Sequence, residues 1–185
     1  MEDRSAAGAA EWTGVAAAVW GVLFAVPSFA WAAGLSFGAR TTVSPALVKL
    51  AEERVWWFVA VLWVTGLLKL VGALIGIGLT RRRGRWAGRL LACCGAGAAV
   101  LLVWHGGVFV VQGALVEAGA RPVAPDLAAL IRWYLYLWGP WFVAGGLLFG
   151  AATLRYVRDG PRLPAGVGAL GALLLSLASV VSGIG

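Results

Sequence analysis

The sequence predicts an all-α fold: a polytopic transmembrane helix bundle with five spans, forming a single integral membrane domain over residues 1–185. Three observations lead there. Of 185 residues, 61% are hydrophobic and only 12% charged, against about 25% charged in soluble domains. The mean hydropathy is +0.88. The apolar residues also fall in runs of about 20, the length that crosses a hydrocarbon core. No hydrophilic stretch is long enough for a second, soluble domain.

The first span is placed at Thr13 to Ala33 and the second at Trp56 to Leu79. The third runs from Trp86 to Val111, the fourth from Trp133 to Leu154, and the fifth from Ala165 to Ile184. Trp12, Trp31, Trp56, Trp57, Trp86 and Trp133 stand at span ends, where an aromatic belt places them. The fifth span contains Gly166, Gly168, Gly171 and Gly183, which weaken a helix in water but are common in membrane helices. The first span ends in Ala30-Trp31-Ala32, which has the small-residue character of a signal-peptide cleavage site. Ahead of it, however, Glu2, Asp3 and Glu11 outnumber Arg4, whereas a signal peptide starts positively charged. The span is therefore read as a retained helix.

Arginine sets the expected orientation. Arg81, Arg82, Arg83, Arg85 and Arg89 crowd one loop, Arg155, Arg158 and Arg162 follow span four, and Arg4 precedes span one. These nine face five on the other side: Arg40, Lys49, Arg54, Arg121 and Arg132, which mix with Glu52, Glu53, Glu117 and Asp126. The positive-inside rule then puts the N-terminus in the cytoplasm and the C-terminus outside. The basic loop between two spans suits anionic lipid at Arg81, Arg82, Arg83 and Arg85, each worth about 1 kcal/mol near the surface. Topology explains this clustering better than nucleic acid does, and no nucleic-acid partner is expected.

The outer loops carry turn signals. Ser44-Pro45 reads as an N-cap with proline at the first helical position, starting a helix that continues into span two and either projects from the membrane or bends at its surface. Pro122 and Pro125-Asp126 read as a turn and cap before span four, so the outer surface has some order and suggests a small lid.

Lys69 interrupts the apolar stretch "WVTGLLKLVGALIGIG". It stands 13 residues from Trp56 and 10 from Leu79, close to mid-bilayer at about 1.5 Å per residue. A charge there costs about 2.5–3.5 kcal/mol on insertion scales. Its neighbours at helical spacing are Thr65, Gly66, Gly72, Ala73 and Gly76, a small-residue face with a Gly72-xxx-Gly76 pattern that lets another helix approach. The lysine is therefore expected to face the bundle. All Asp and Glu residues lie in tails or loops, so its partners are neutral: Ser28 beside Pro27, Thr65, His105, Gln112, Tyr134 and Tyr136. Pro27 and Pro140 additionally free the carbonyls of Leu23 and Tyr136. Lys69, His105, Thr65, Ser28, Gln112 and Tyr136 thus make a candidate polar pocket opening outward, with Ser28, Thr65 and His105 nearest the ammonium. The simpler alternative is a lysine that bonds helix carbonyls and water, or is neutral, with no ligand.

Other chemistry is thin. His105 is the single histidine. With no Cys, Asp or Glu at ligand spacing it makes neither a metal site nor a haem site, and it reads equally as a buried hydrogen-bonding residue. Cys93 and Cys94 are adjacent, a poor arrangement for an unstrained disulfide, and read as small packing residues. There is no phosphate loop, catalytic triad or carboxylate pair. No catalytic residue, metal or cofactor is expected.

Three stretches, "FAVPSFAWAAG" from Phe24, "LWVTGLLKLVGALIGIGL" from Leu62 and "RWYLYLWGPWFVAGGLLFG" from Arg132, resemble a bacterial, mainly actinobacterial, membrane protein family known as the domain of unknown function 3995. The resemblance covers roughly Gly14 to Arg158 and leaves out the fifth span. It implies a multi-pass plasma-membrane protein and transfers no catalytic residues.

Two functions are weighed. The first is a non-enzymatic bundle that binds a partner protein, a second copy or a lipid-like ligand, packing through Gly72, Gly76, Gly146, Gly150 and the Gly168, Ala172, Ser176 stripe. The second is a small transporter or membrane enzyme built around Lys69 and His105. A transporter would be expected to show internal repeats. Pro27 and Pro140 only faintly suggest broken helices, and five spans do not halve evenly. The first is preferred.

Overall fold

A computed structural model of the chain describes residues 2–81, 83–158 and 160–181, and these contain helices and no strand. The helices are α1 (Glu2–Ala32), α2 (Pro45–Glu52), α3 (Trp56–Gly78), α4 (Arg85–Glu117), α5 (Pro125–Trp133), α6 (Gly139–Tyr156) and α7 (Arg162–Val181). A 3-10 turn, Ala39–Thr41, lies between α1 and α2, and a π-helical turn, Tyr134–Trp138, joins α5 to α6. Five segments are long and apolar enough to cross a membrane: Glu11–Ala32, Trp56–Gly78, Arg85–Glu117, Leu127–Tyr156 and Arg162–Val180. The chain is therefore an all-α membrane protein, as its composition predicts.

Several boundaries differ from the sequence reading. α4 continues to Glu117, past Val111, and the fourth span starts at Leu127 because α5 runs into α6 through the π turn. The C-terminal part of the predicted fifth span, including Gly183, lies outside the described residues, as does Arg82. The helix begun at Pro45 does not run on into span two. It stops at Glu52, because Arg54 takes a left-handed backbone conformation, φ 51°, which an L-residue cannot hold within a helix. Ser44 occupies the N-cap position with extended backbone, but its side chain makes no capping bond. Before α5 the N-cap is Ala124, with Pro125 at the first helical position.

The chain divides into two compact units, each assembled from parts of several helices. The first comprises Met1–Gly21, Gly72–His105 and Phe142–Gly185. Its helices meet through small residues. A Cβ added at Gly76 would lie 2.8 Å from the Ala18 nitrogen, and one at Gly21 would lie 3.1 Å from Ala73. Gly146 meets α4 at Val103 and Ala99, Gly95 meets Thr153, and Gly168 meets the Cys93 backbone. Trp20 lies against Gly145 and edge-on to Phe149 at 6.3 Å. Ala172 and Ser176 are buried, so α7 packs through its small stripe. Close approach of this kind substitutes for the hydrophobic effect, which is absent between helices in lipid.

The second unit comprises Val22–Val71 and Gly106–Trp141. Trp31, Ala32, Ala39, Val48, Phe58 and Leu62 form a buried cluster joining the end of α1, the 3-10 turn, α2 and the start of α3. Trp31 is one of its members, only 7% exposed, with its indole N–H donated to the Phe37 carbonyl. It is thus not a belt residue, unlike Trp12, Trp56, Trp86 and Trp133, which are exposed. The turn after α1 is tied down from the π-helical segment: Tyr134 Oη donates to the Thr42 carbonyl and Trp138 Nε1 to the Thr41 carbonyl, both at 2.7 Å. Tyr134 in turn stacks on Phe109 at 4.5 Å.

Candidate functional site: a seam lysine and an apolar groove

Heptad-like spacing accounts for where Lys69 lies. Leu62, Gly66, Lys69 and Ala73 follow each other at steps of four, three and four residues along α3, as do Gly21, Ala25, Ser28 and Ala32 at steps of four, three and four along α1. Such spacing keeps one face of a helix against a neighbour. In the second unit the result is a hydrogen bond of 2.8 Å from Lys69 Nζ to Ser28 Oγ, with the ammonium 3.8 Å from the centre of the Phe24 ring. Phe24 and Ser28 are four residues apart and so share a face of α1. Gly66 makes the approach possible: a Cβ there would lie 2.8 Å from the Phe29 ring. One hydroxyl and one ring face thus receive the ammonium where no carboxylate is present.

The remaining polar candidates are dispersed. The Thr65 hydroxyl donates to the Leu62 carbonyl of its own helix at 3.0 Å, the local bond that threonine makes within helices. Gln112 is half-buried, beside Gly113, which packs on Leu135. Tyr136 is 67% exposed. The π turn that contains it inserts an extra residue and so rotates the following face by about 100°. His105 belongs to the first unit, where its ring meets Phe142 edge-on at 5.0 Å and the residue is exposed. Of the six residues expected in a polar pocket, Lys69 and Ser28 are the pair joined by a direct bond. Gly72 also departs from expectation, since nothing lies within 4 Å of a Cβ added there, while Gly76 packs closely. Ala73, one residue on, takes the contact position instead.

The first unit holds a feature of a different kind. A groove of about 510 Å³ runs between α4 and α6, lined by Ala99, Val100, Val103, Trp104, Gly146, Leu147, Gly150, Ala151 and Leu154. None of these residues carries a charge, hydroxyl or carboxamide. Gly146 is the pivot of the α4–α6 approach, whereas at Gly150 an added Cβ would find Ala99 only at 3.7 Å, ordinary contact distance. The helices therefore touch at Gly146 and leave the Gly150 side open. In sequence both glycines look alike, as positions for helix packing. The clustering of Ala99, Gly146, Gly150 and Ala151, four residues too small to fill the space between two helices, is the signal that could have revealed the groove. The other omission was Phe24, detectable from its four-residue spacing to Ser28. Cys93 and Cys94 are free thiols, and the described residues hold no group of three or more His, Cys, Asp or Glu that could bind a metal ion.

Comparison with known proteins gives a match over residues 21–149 to the family model described as protein of unknown function (DUF3995). No curated protein and no solved structure matches the chain.

Proposed function

We propose that this chain, which belongs to the family of proteins of unknown function DUF3995, is a non-enzymatic membrane protein that binds the hydrocarbon chain of a lipid-like ligand in its α4–α6 groove. One observation carries the reading: the groove lies in membrane-crossing helices and its lining carries no charge, hydroxyl or carboxamide, the Trp104 indole N–H being its one polar side-chain group. Catalysis needs positioned acids, bases or nucleophiles, and this groove has none, whereas a hydrocarbon chain asks only for shape and apolar surface. The competing reading, a transporter or enzyme working through Lys69 and His105, draws less support. The Lys69 ammonium is already engaged by Ser28 and Phe24, and Tyr136 and His105 are exposed. Lys69 serves instead as a polar tie between α1 and α3.

From the arginine asymmetry we further propose that the protein lies in the plasma membrane of a bacterium with its N-terminus in the cytoplasm. The arginines around the start of α4 and those at the end of and beyond α6 are then cytoplasmic, and α2 with its clamped turn lies outside.

Replacing Gly150 with leucine tests the assignment. The added side chain fills the groove, and the Cβ position itself meets no atom closer than 3.7 Å. Native mass spectrometry of the purified protein should show lipid adducts lost in this variant and the helical content kept. Adducts at the wild-type level would remove the groove as the binding site.

A further inference from the structure

A second cleft lies on the same two helices. It encloses about 150 Å³ and is lined by Arg83, Gly84, Arg85, Gly88, Arg89, Tyr156 and Pro161. The close approach of α4 and α6 builds it: a Cβ added at Gly88 would come within 3.0 Å of the Tyr156 hydroxyl. Three arginines line one small opening, and among the described residues the ion pairs formed, Lys49–Glu53 and Arg132–Glu117, involve none of them. Asp159, the nearest carboxylate in sequence, lies outside the described residues. Arg89 is steadied by the Trp86 ring, 5.6 Å away, an exposed tryptophan of the kind that sits at headgroup level. Guanidinium groups suit phosphate oxygens because their forked N–H donors match them in pairs.

The spacing between cleft and groove decides what sort of phosphate. Both belong to the first unit: the groove lies between α4 and α6, and the cleft lies where the start of α4 and the end of α6 meet the segments flanking them. From Tyr156 at the cleft, the groove residues of α6 run from Leu154 to Gly146, ten residues from the tyrosine. That is roughly 15 Å of helix at about 1.5 Å per residue, half of a hydrocarbon core about 30 Å thick. On α4, Arg89 and the groove residue Val100 are eleven residues apart and so share a helix face, which puts the acyl chain of a headgroup held at Arg89 on the groove side, within one leaflet.

We propose that the cleft of Arg83, Arg85, Arg89 and Tyr156 binds the phosphate of an anionic phospholipid whose acyl chain occupies the α4–α6 groove. The inference rests on the groove reading above and adds the ligand class to it. The guanidinium groups hold the phosphate, the tyrosine hydroxyl donates a further hydrogen bond, and the apolar groove contributes affinity that free phosphate cannot use.

The full-length protein is reconstituted in nanodiscs of phosphatidylcholine containing a small fraction of either phosphatidylglycerol or phosphatidylcholine with a diazirine on the acyl chain. Crosslinks to residues 99–104 and 146–154 are then counted. The expected result is preferential labelling of the groove by phosphatidylglycerol. Arg85→Gln or Arg89→Gln should cut that preference by roughly fivefold each. Tyr156→Phe should weaken it less, and Arg81→Gln, an equal charge change outside the cleft, should leave it in place. Inorganic phosphate, at ionic strength matched with chloride, should not displace the lipid. Equal labelling by the two lipids, equal losses for all three arginine variants, or displacement by phosphate would each overturn the headgroup assignment. In every one of those cases the groove would still be labelled. Absence of groove labelling by either lipid would instead overturn the groove reading beneath it. Should an arginine variant fail to assemble, the wild-type lipid comparison and Tyr156→Phe still decide the matter.

Discussion

Lys69 on α3 donates a hydrogen bond to Ser28 on α1 across 41 residues of chain at 2.8 Å. An ammonium at this depth would cost about 2.5–3.5 kcal/mol on insertion scales. An interhelical hydrogen bond in a membrane returns about 0.6–1.7 kcal/mol, and a cation over a ring about 0.5–2 kcal/mol. Together the two contacts offset most of the cost and leave the lysine near neutral for stability. What it contributes is register, since the bond forms only when Ser28 and Lys69 stand opposite each other.

A double-mutant cycle on that pair follows. Ser28→Ala alone should lower stability by about 0.6–1.7 kcal/mol, because the ammonium loses its hydroxyl partner. Lys69→Met should be neutral or stabilising, as replacing a buried charge by an apolar side chain often is. In the Lys69→Met background Ser28→Ala should cost nothing, and unfolding in detergent would measure that coupling. Additive effects would mean the bond does not form, and loss of lipid binding in a folded Lys69→Met protein would restore a ligand role for the lysine.

The close-packed face of α7 predicts a larger effect. Ala172 is 4% exposed, and one turn before it Gly168 lies against the Cys93 backbone. Ala172→Leu should destabilise by about 1–3 kcal/mol through overpacking. An unchanged melting temperature in detergent would indicate that α7 does not pack there.

The clamp on the turn after α1 should be separable from the rest of the fold. Tyr134→Phe removes the hydroxyl bonded to the Thr42 carbonyl and should cost about 1 kcal/mol. Hydrogen exchange should quicken at the amides of residues 38–43, with the first unit unaffected. Uniform acceleration across the chain would show the turn to be tied to global unfolding instead.

Orientation is tested by labelling intact cells, in a background with Cys93 and Cys94 changed to alanine. A cysteine at Pro122 should react with a membrane-impermeant maleimide, and one at Arg83 should not. The reverse pattern would invert the topology and put the arginine cleft in the outer leaflet.

The five crossing helices were legible because each needs about 20 apolar residues, a signal independent of packing. Ser28 was legible only as one of three nearest candidates for Lys69, with Thr65 and His105, since depth along the helices narrows the choice without deciding it. The break at Arg54 was not, because a left-handed φ at an arginine leaves no mark in composition, unlike one at glycine. Tyr136 was misplaced for a related reason: Pro140 announces a disturbed helix but not the π turn in which Tyr136 itself lies. The groove was hidden because small residues read alike whether they admit a neighbouring helix, as Gly146 does, or leave a space, as Gly150 does.

The central claim, that the α4–α6 groove holds a hydrocarbon chain, is tested most directly by mapping where an acyl-chain diazirine phospholipid attaches to the wild-type protein in nanodiscs. The account predicts that Ala99, Val103, Gly150 and Ala151 are labelled in excess of Leu67 and Leu74, which are exposed apolar residues outside the groove, and that Gly150→Leu removes the excess. Labelling of the groove no greater than that of Leu67 and Leu74, and unchanged by Gly150→Leu, would contradict it.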